Sequence, residues 1–290
     1  MKSPLLILDV SYLAYRALHT TGEMKNGDDL TGVCYGLLQQ VIKLQETLLS
    51  NRLAWCFDCG YDGRAELYPQ YKANRNEGTE EEKELRRGMR QQLYRMRTKY
   101  LPMIGFKNIF IQDGYEADDI VASLCVNLPR GEQAIIVSSD RDLLQCLVDD
   151  KITVWNPNKQ KQYTANDLRA DFGVGPGQWA LVKALAGDNG DNVEGIDDIG
   201  EKTAALYIAG RLKDTSKRYA KIINGDSICR RNLPLVTLPF PGTQVFSVVE
   251  DEITNEGWDA AFKEMGIKNL RGRIKGREKE SAHEEMPRLR

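Results

Sequence analysis

An α/β fold with a mostly parallel central sheet flanked by helices is predicted for this 290-residue chain by three observations. Short continuous apolar runs such as Leu5-Leu6-Ile7-Leu8 have the pattern of strands buried on both faces. Helical patterns separate these runs, and alternating strands and helices form parallel sheets. Three of the runs lead to an aspartate, at Asp9, Asp58 and Asp140. Ligands of such sheets bind at the carboxyl ends of the strands, so these acids can meet in space.

Composition bounds the function. The chain is 41% hydrophobic and 28% charged, with a formal net charge of −2, as expected of a globular protein long enough to bury a full core. No run approaches the ~18 apolar residues of a membrane helix, and Met1-Lys2-Ser3-Pro4 enters a strand without a cleavage signal, so a cytoplasmic protein is expected. The six cysteines are too sparse for a disulfide framework and are expected in the core. Cys56 and Cys59 form a lone C-x-x-C without the second pair a zinc site needs. With only His19 and His283 present, an imidazole general base is not expected.

The first strand, Leu5 to Leu8, ends at Asp9, and the next, Ala54-Trp55-Cys56-Phe57, ends at Asp58. From Asn74 to Lys107 a long helix is predicted. Thr79 with Glu80, Glu81 and Glu82 suits its start, and Leu85, Met89, Leu93, Met96 and Tyr100 share one face. Between Leu85 and Lys107 there is no acid, whereas Arg86, Arg87, Arg90, Arg95, Arg97, Lys99 and Lys107 are present. A balanced charge run is a solvated face, but a one-signed run beside acids points to phosphate binding.

Ile109-Phe110-Ile111 is a short strand, and Gly114-Tyr115-Glu116-Ala117-Asp118-Asp119 opens a helix whose Ile120, Val121 and Leu124 face the core. Asp is a favoured N-cap, which is the bland reading of each single acid. Asp118 and Asp119 cannot both be caps. Ala134 to Val137 forms a further strand running to Ser139-Asp140-Arg141-Asp142, and Ile152 to Trp155 forms another. Residues 176–211 read as helix, acidic turn, hairpin and helix. Asp188 and Asp191 lie in the turn, Gly195 and Gly200 bracket the hairpin, and Lys202 begins the last helix. Glycines and free helix amides there suit non-specific contact with duplex phosphates. The turn is not a calcium loop, because the closing position from Asp188 is Ile199 rather than Glu. The basic, glycine-broken Arg271 to Arg277 is expected to be a disordered tail adding electrostatic grip on nucleic acid.

Nine carboxylates thus recur along the chain: Asp9, Asp58, Glu116, Asp118, Asp119, Asp140, Asp142, Asp188 and Asp191. Removing nine negative charges from a net −2 leaves +7, a basic protein around an acidic hole. Acids gathered at one place stay ionised only if cations neutralise them, which points to a hard-metal site.

Leu8-Asp9 with Tyr15-Arg16, Phe57-Asp58, Tyr71-Lys72-Ala73-Asn74-Arg75, the Glu116 to Asp119 cluster, Ser139 to Leu143 and Gly187 to Asn192 together resemble the 5′ nuclease (flap endonuclease) family. The likeness is to the phage enzymes and the 5′ nuclease domain of bacterial DNA polymerase I. It runs from about Leu5 to about Pro239, where Arg231-Asn232-Leu233-Pro234-Leu235-Val236 echoes the phage type. The resemblance implies a PIN-like nuclease core over 1–170 with a helical arch about 72–105. It further implies a helical region over 171–265 with a helix-hairpin-helix about 176–211, followed by a tail over 266–290.

It also implies metal-dependent 5′-3′ exonuclease and flap endonuclease activity on DNA near single-strand to double-strand junctions, leaving 5′-phosphates, in replication or repair. The nine acids would hold two or more Mg²⁺, with Mn²⁺ able to substitute. Asp9, Asp58 and Asp118 would serve one ion, with Asp140, Asp142 and Asp191 nearer a second, and Glu116, Asp119 and Asp188 acting partly through water. Lys72 and Arg75 match the family's basic residues at the scissile phosphate, and Tyr71 is a platform for a terminal base. Arg16 with Arg86, Arg87 and Arg90 would contact DNA, as would Gly195, Gly200 and Lys202, with K⁺ at the hairpin. Where the family hairpin carries Gly-Ile-Gly, this chain has Asp198-Ile199-Gly200, and a negative Cβ-bearing residue weakens phosphate or K⁺ binding there.

The expected partners are DNA flaps, junctions and ends, and RNA–DNA hybrids, with no membrane and a monomeric state. A primer-removing ribonuclease and a non-catalytic junction binder remain as alternatives. Cleavage rates on hybrid and DNA duplexes separate the first, and binding without cutting in any metal identifies the second.

Overall fold

The apolar runs become the centre of a six-stranded sheet in the computed structural model, which describes residues 2–76 and 78–267. In chain order come β1 (Leu5–Asp9), α1 (Val10–Thr21), β2 (Lys25–Asn26), β3 (Asp29–Leu30), α2 (Gly32–Leu48), β4 (Leu53–Cys56), α3 (Asp62–Leu67) and α4 (Glu80–Arg95). They are followed by α5 (Leu101–Ile104), β5 (Ile109–Phe110), α6 (Ala117–Val126), β6 (Ala134–Val137), β7 (Ile152–Asn156), β8 (Lys161–Tyr163), α7 (Ala165–Phe172) and α8 (Pro176–Ala186). The last elements are β9 (Gly187–Asp188), β10 (Val193–Glu194), α9 (Glu201–Ile208), α10 (Lys217–Asn224), α11 (Asp226–Val236) and α12 (Asn255–Met265).

The sheet order is β5-β4-β1-β6-β7-β8, parallel throughout except for the antiparallel edge strand β8. Its register pairs Asp9 with Cys56 and Leu8 with Val137, so the carboxyl ends of the three adjacent strands β4, β1 and β6 lie side by side. Neighbouring strands are about 4.8 Å apart, which places residues just beyond these ends within reach of one another. β8, with the sequence Lys161-Gln162-Tyr163, carries no apolar alternation and was not predicted.

The chain divides into two units, one of Met1–Tyr12, Leu49–Lys83 and Asn108–Val248, the other of Leu13–Leu48, Glu84–Lys107 and Val249–Arg290. These units cut across the expected boundary at 170. In the first unit Trp179, Val182 and Leu185 of α8 and Ala204 and Ala205 of α9 share one buried cluster with Ile7 and Ile136 of the sheet. These helices bury their apolar faces on the sheet's core.

In the second unit Ala14, Ala17, Val33 and Met89 pack together, and the buried Gln92 accepts a hydrogen bond at 2.9 Å from the Val33 amide at the start of α2. The predicted long helix is present as α4, a π-helical turn at Met96–Tyr100, and α5. Met89, Met96 and Tyr100 are buried as the periodicity requires, while Leu85 is exposed. Of the expected tail over 266–290, residues 268–290, including Arg271 to Arg277 and His283, lie outside the described residues. Among the described residues no helix is long and apolar enough to cross a membrane.

Candidate active site

The acids of the first unit are arranged by the strand ends and by two short acidic turns. Asp9, the last residue of β1, is 8% exposed. Its carboxylate accepts hydrogen bonds from the Tyr12 amide (3.0 Å) and the Ser138 hydroxyl (2.8 Å). Burial, reinforced by the charge of Asp58, pushes its pKa up to about 7. Asp58 follows β4 and accepts the Ala117 amide at 2.7 Å, fixing the N-terminus of α6 beside that strand. Asp118, in the first turn of α6, is raised well above the ordinary carboxylate range by burial and by Asp140 and Asp9. Asp140 follows β6, and its carboxylate accepts the Asp142 amide at 2.8 Å.

The remaining acids are held by internal cations. Lys72, 4% exposed, places its ammonium against Glu116 and 3.3 Å from Asp191. Its φ of +55° is a left-handed conformation that costs a non-glycine residue about 1–3 kcal/mol, and its amide donates to the Asp191 carbonyl at 2.8 Å. Tyr71 lies within hydrogen-bond reach of Glu116 (2.7 Å) and Asp191 (3.0 Å), and Arg75 donates to Asp191 at 3.0 Å. Lys183, 5% exposed, lies 2.9 Å from Asp142, 2.6 Å from Asp188 and 3.7 Å from Glu201. Burial pushes Asp142 up to about 7 in spite of that lysine. At Asp188, by contrast, burial is outweighed by Lys183 together with the Asp191 and Gly190 amides, which hold the carboxyl below its usual value.

Eight of the nine acids therefore fall into three groups. Glu116 and Asp191 share Lys72, and Asp142 and Asp188 share Lys183. Asp9, Asp58, Asp118 and Asp140 form no ion pair among the described residues. Asp119, expected to act partly through water, stands apart from the other eight. It is fully buried, both its oxygens are taken by Arg64 (2.6 and 2.7 Å), and it also accepts the Phe240 amide at 2.8 Å. Arg64 donates in addition to the Leu235 carbonyl and lies 4.7 Å from the Phe240 ring centroid, so the pair is an internal brace between α3, α6 and α11.

Tyr71 differs from its expected role as well. Its ring is 4% exposed and packs edge-on to Tyr61, so no base can stack on it in this conformation. Gly195 is tucked under α8, where a Cβ would meet the Ala186 carbonyl oxygen at 2.1 Å, so packing rather than phosphate approach requires glycine there. Gly200 is open, caps α9, and is followed by the exposed Lys202. A two-stranded hairpin of β9 and β10 precedes the predicted hairpin. Residues 195–200 form a turn with Asp198 at φ +61°, and Asp198 pairs with Arg218 (3.1 Å) and Asp197 with Lys221 (2.7 Å). Arg16 donates to Gln40 at 2.8 Å in the second unit, where Arg87 and Arg90 line a cleft with Asp28, Asp29 and Tyr94. Arg86 lies on the same helix, α4.

Sequence reasoning missed Lys183, Arg64, Ser138 and Glu201. Lys183 had one signal, a single charge inside the apolar helical run Trp179 to Leu185. The others carried none.

The donor set suits a hard divalent cation, being all oxygen without histidine or cysteine. Among the described residues no three acidic side chains are already grouped at metal-binding distances.

A family model for the 5′-3′ exonuclease, N-terminal resolvase-like domain, matches residues 4–173. The 5′-3′ exonuclease of Buchnera aphidicola subsp. Schizaphis graminum is 32% identical over 238 residues, covering 80% of this chain and 78% of that protein. DNA polymerase I of Mycobacterium bovis is 32% identical over 217 residues, covering 72% of this chain, and the chain spans 23% of its length. A structure of T5 5′-exonuclease with bound divalent zinc ions superposes with a TM-score of 0.69 at 25% identity, covering 81% of this chain and 90% of that one. The acids gathered at the ends of β4, β1 and β6, on the fold and sequence of these relatives, show that this chain belongs to the 5′-3′ exonuclease family of nucleases.

Proposed function

We propose that this protein is a divalent-metal-dependent 5′-3′ exonuclease and flap endonuclease that hydrolyses DNA near single-strand to double-strand junctions and leaves 5′-phosphates. One observation carries the reading: Asp9, Asp58, Asp118 and Asp140 surround the ends of the central strands without an ion pair among the described residues, while every other acid of the cluster has one. Such a group is stable in its ionised form only with a cation from solution.

Asp9, Asp58, Asp118 and Asp140 would hold one ion, with Asp142, Asp188 and Asp191 holding a second. When bound, Mg²⁺ or Mn²⁺ would polarise the scissile phosphate and lower the pKa of water. The chain's own residues do the rest. Arg75, largely exposed on Asp191, is free to turn its guanidinium to a phosphate oxygen and stabilise charge as it develops. Lys72 can do the same only by leaving Glu116, so substrate binding must compete with that ion pair. Ser138 fixes the carboxylate of Asp9, and Lys183 fixes Asp142 and Asp188. The acid-free basic stretch of α4 from Leu85 to Arg95 and Lys202 would hold the DNA phosphates. We place this activity in replication or repair, in the cytoplasm of a bacterial cell or phage-infected host.

The test is cleavage of a 5′-labelled flap with Mg²⁺ or Mn²⁺, with product lengths mapped. Asp140→Asn and Asp9→Asn are expected to remove cleavage while leaving flap binding in Ca²⁺. Undiminished cutting in excess chelator would sink the metal-dependent reading.

A further inference from the structure

The hairpin that carries Asp188 and Asp191 is held by a residue outside the acidic cluster. Asn232 of α11 is fully buried. Its amide nitrogen donates to the Ala184 carbonyl and to the Glu194 carbonyl, both at 2.9 Å. Its oxygen accepts the Arg231 guanidinium at 3.0 Å, and the same guanidinium donates to the Glu194 carbonyl at 2.6 Å.

The two carbonyls belong to different elements. Ala184 lies in the last turn of α8, next to Lys183, where the helix leaves its own carbonyls without intrahelical partners. Glu194 is on β10, which pairs with β9 so that Val193 faces Asp188 and Glu194 faces Gly187. Asp191 occupies the turn between the two strands. A single side-chain amide therefore links the segment bearing Lys183 to the segment bearing Asp188 and Asp191.

The hairpin needs such a link. Each of its strands has only two residues, too few to hold a register alone. It also turns tightly off α8, since Gly187 has φ +72° and a Cβ there would meet the Gly195 amide nitrogen at 2.3 Å. The amide of Asn232 is fully used by these contacts, and no other uncharged residue of its size offers two donors and an acceptor.

We infer that Asn232 is a positioning residue of the active site, setting the distance from Lys183 and Asp142 to Asp188 and Asp191 and thereby the affinity of the second cation. This rests on the proposed reading of those acids as cation holders. Residues that orient metal ligands from outside change metal affinity or activity by about 10–100-fold when removed.

The test measures Mn²⁺ binding to the DNA-free protein by the loss of the free-ion electron paramagnetic resonance signal. Asn232→Asp keeps the shape but replaces two donors with an acceptor facing two carbonyls. It is expected to raise the half-saturating Mn²⁺ concentration of the weaker site about 10-fold or more. The Mn²⁺ needed for half-maximal cleavage should rise in parallel, while KM for the flap stays within about twofold of wild type. Arg231→Leu is half-exposed, keeps the Asn232 amide and should shift both in the same direction by less. Thr237→Val removes a 2.7 Å hydrogen bond within the same helix and should move neither.

Wild-type Mn²⁺ curves in folded Asn232→Asp and Arg231→Leu, with only a lowered melting temperature, would overturn the inference. If Asn232→Asp does not fold, Arg231→Leu decides alone, a wild-type curve again overturning it. Failure of the wild-type protein to bind Mn²⁺ would instead overturn the metal-dependent reading, and this inference with it.

Discussion

Replacing Lys183 with methionine is the most direct perturbation of the electrostatics. The ammonium is 5% exposed and lies within 4 Å of three carboxylates, at 2.9, 2.6 and 3.7 Å. Methionine fills most of the same volume, so the effect is of charge rather than of a cavity. Breaking a buried ion pair by removing one partner costs about 3–5 kcal/mol, because the remaining charge is left desolvated. Here Asp142 and Asp188 are left facing each other. In a domain of this size each kcal/mol moves the melting temperature by about 2–4 °C, so Lys183→Met should melt about 6–20 °C below wild type in EDTA at pH 8.

Two conditions should shrink that gap. At pH 5 the orphaned carboxyls take up protons, which removes the charge that Lys183 had balanced. In millimolar Mn²⁺ a solvent cation takes the place of the ammonium. The assay is differential scanning fluorimetry across these three conditions. Equal melting of variant and wild type in EDTA would refute the counterion role, and a gap unchanged by Mn²⁺ would refute the claim that lysine and metal answer the same charges.

Other outcomes follow from the same geometry. Asp9 and Asp142 have pKa values raised from 3.8 to about 7, so their neutral forms stabilise the folded protein below about pH 4, and that contribution is lost as pH rises through about 7. Metal-free protein should therefore weaken by on the order of a few kcal/mol from pH 5 to pH 8 in urea titrations, and divalent cation should remove the trend. Asp188 has a lowered pKa, so its contribution is lost only as pH falls below about 4, outside that window. Arg64→Leu should cost about 3–5 kcal/mol by chemical denaturation regardless of metal, since it strands the buried Asp119 carboxylate, and the double variant with Asp119→Leu should recover part of it. Arg75→Ala should lower the single-turnover cleavage rate about 100-fold with an unchanged melting temperature, because on the proposed reading its half-exposed guanidinium would serve the reacting phosphate rather than the core.

The sheet was legible because its strands are buried on both faces. Leu5 to Leu8, Leu53 to Cys56 and Ala134 to Val137 are all fully buried, and a continuous apolar run is what that environment demands. The edge strand β8 and the two-residue strands β9 and β10 were not legible, since their pairing is set by backbone register and carries no side-chain signature. Asp119 and Asp118 are adjacent and identical in type, and the chain alone could not separate them. The helix turns successive residues by about 100°, which points Asp119 inward at Arg64 and leaves Asp118 among the strand-end acids.

By itself the sequence determined the fold class, the family and which carboxylates end the central strands, because these follow from local pattern and chain order. Only the tertiary structure decided which cation answers each carboxylate. Lys72, Lys183 and Arg64 lie 44, 5 and 55 residues from the acids they hold, Glu116, Asp188 and Asp119. Coulomb attraction depends on separation through space and on burial, and neither is written in the spacing along the chain.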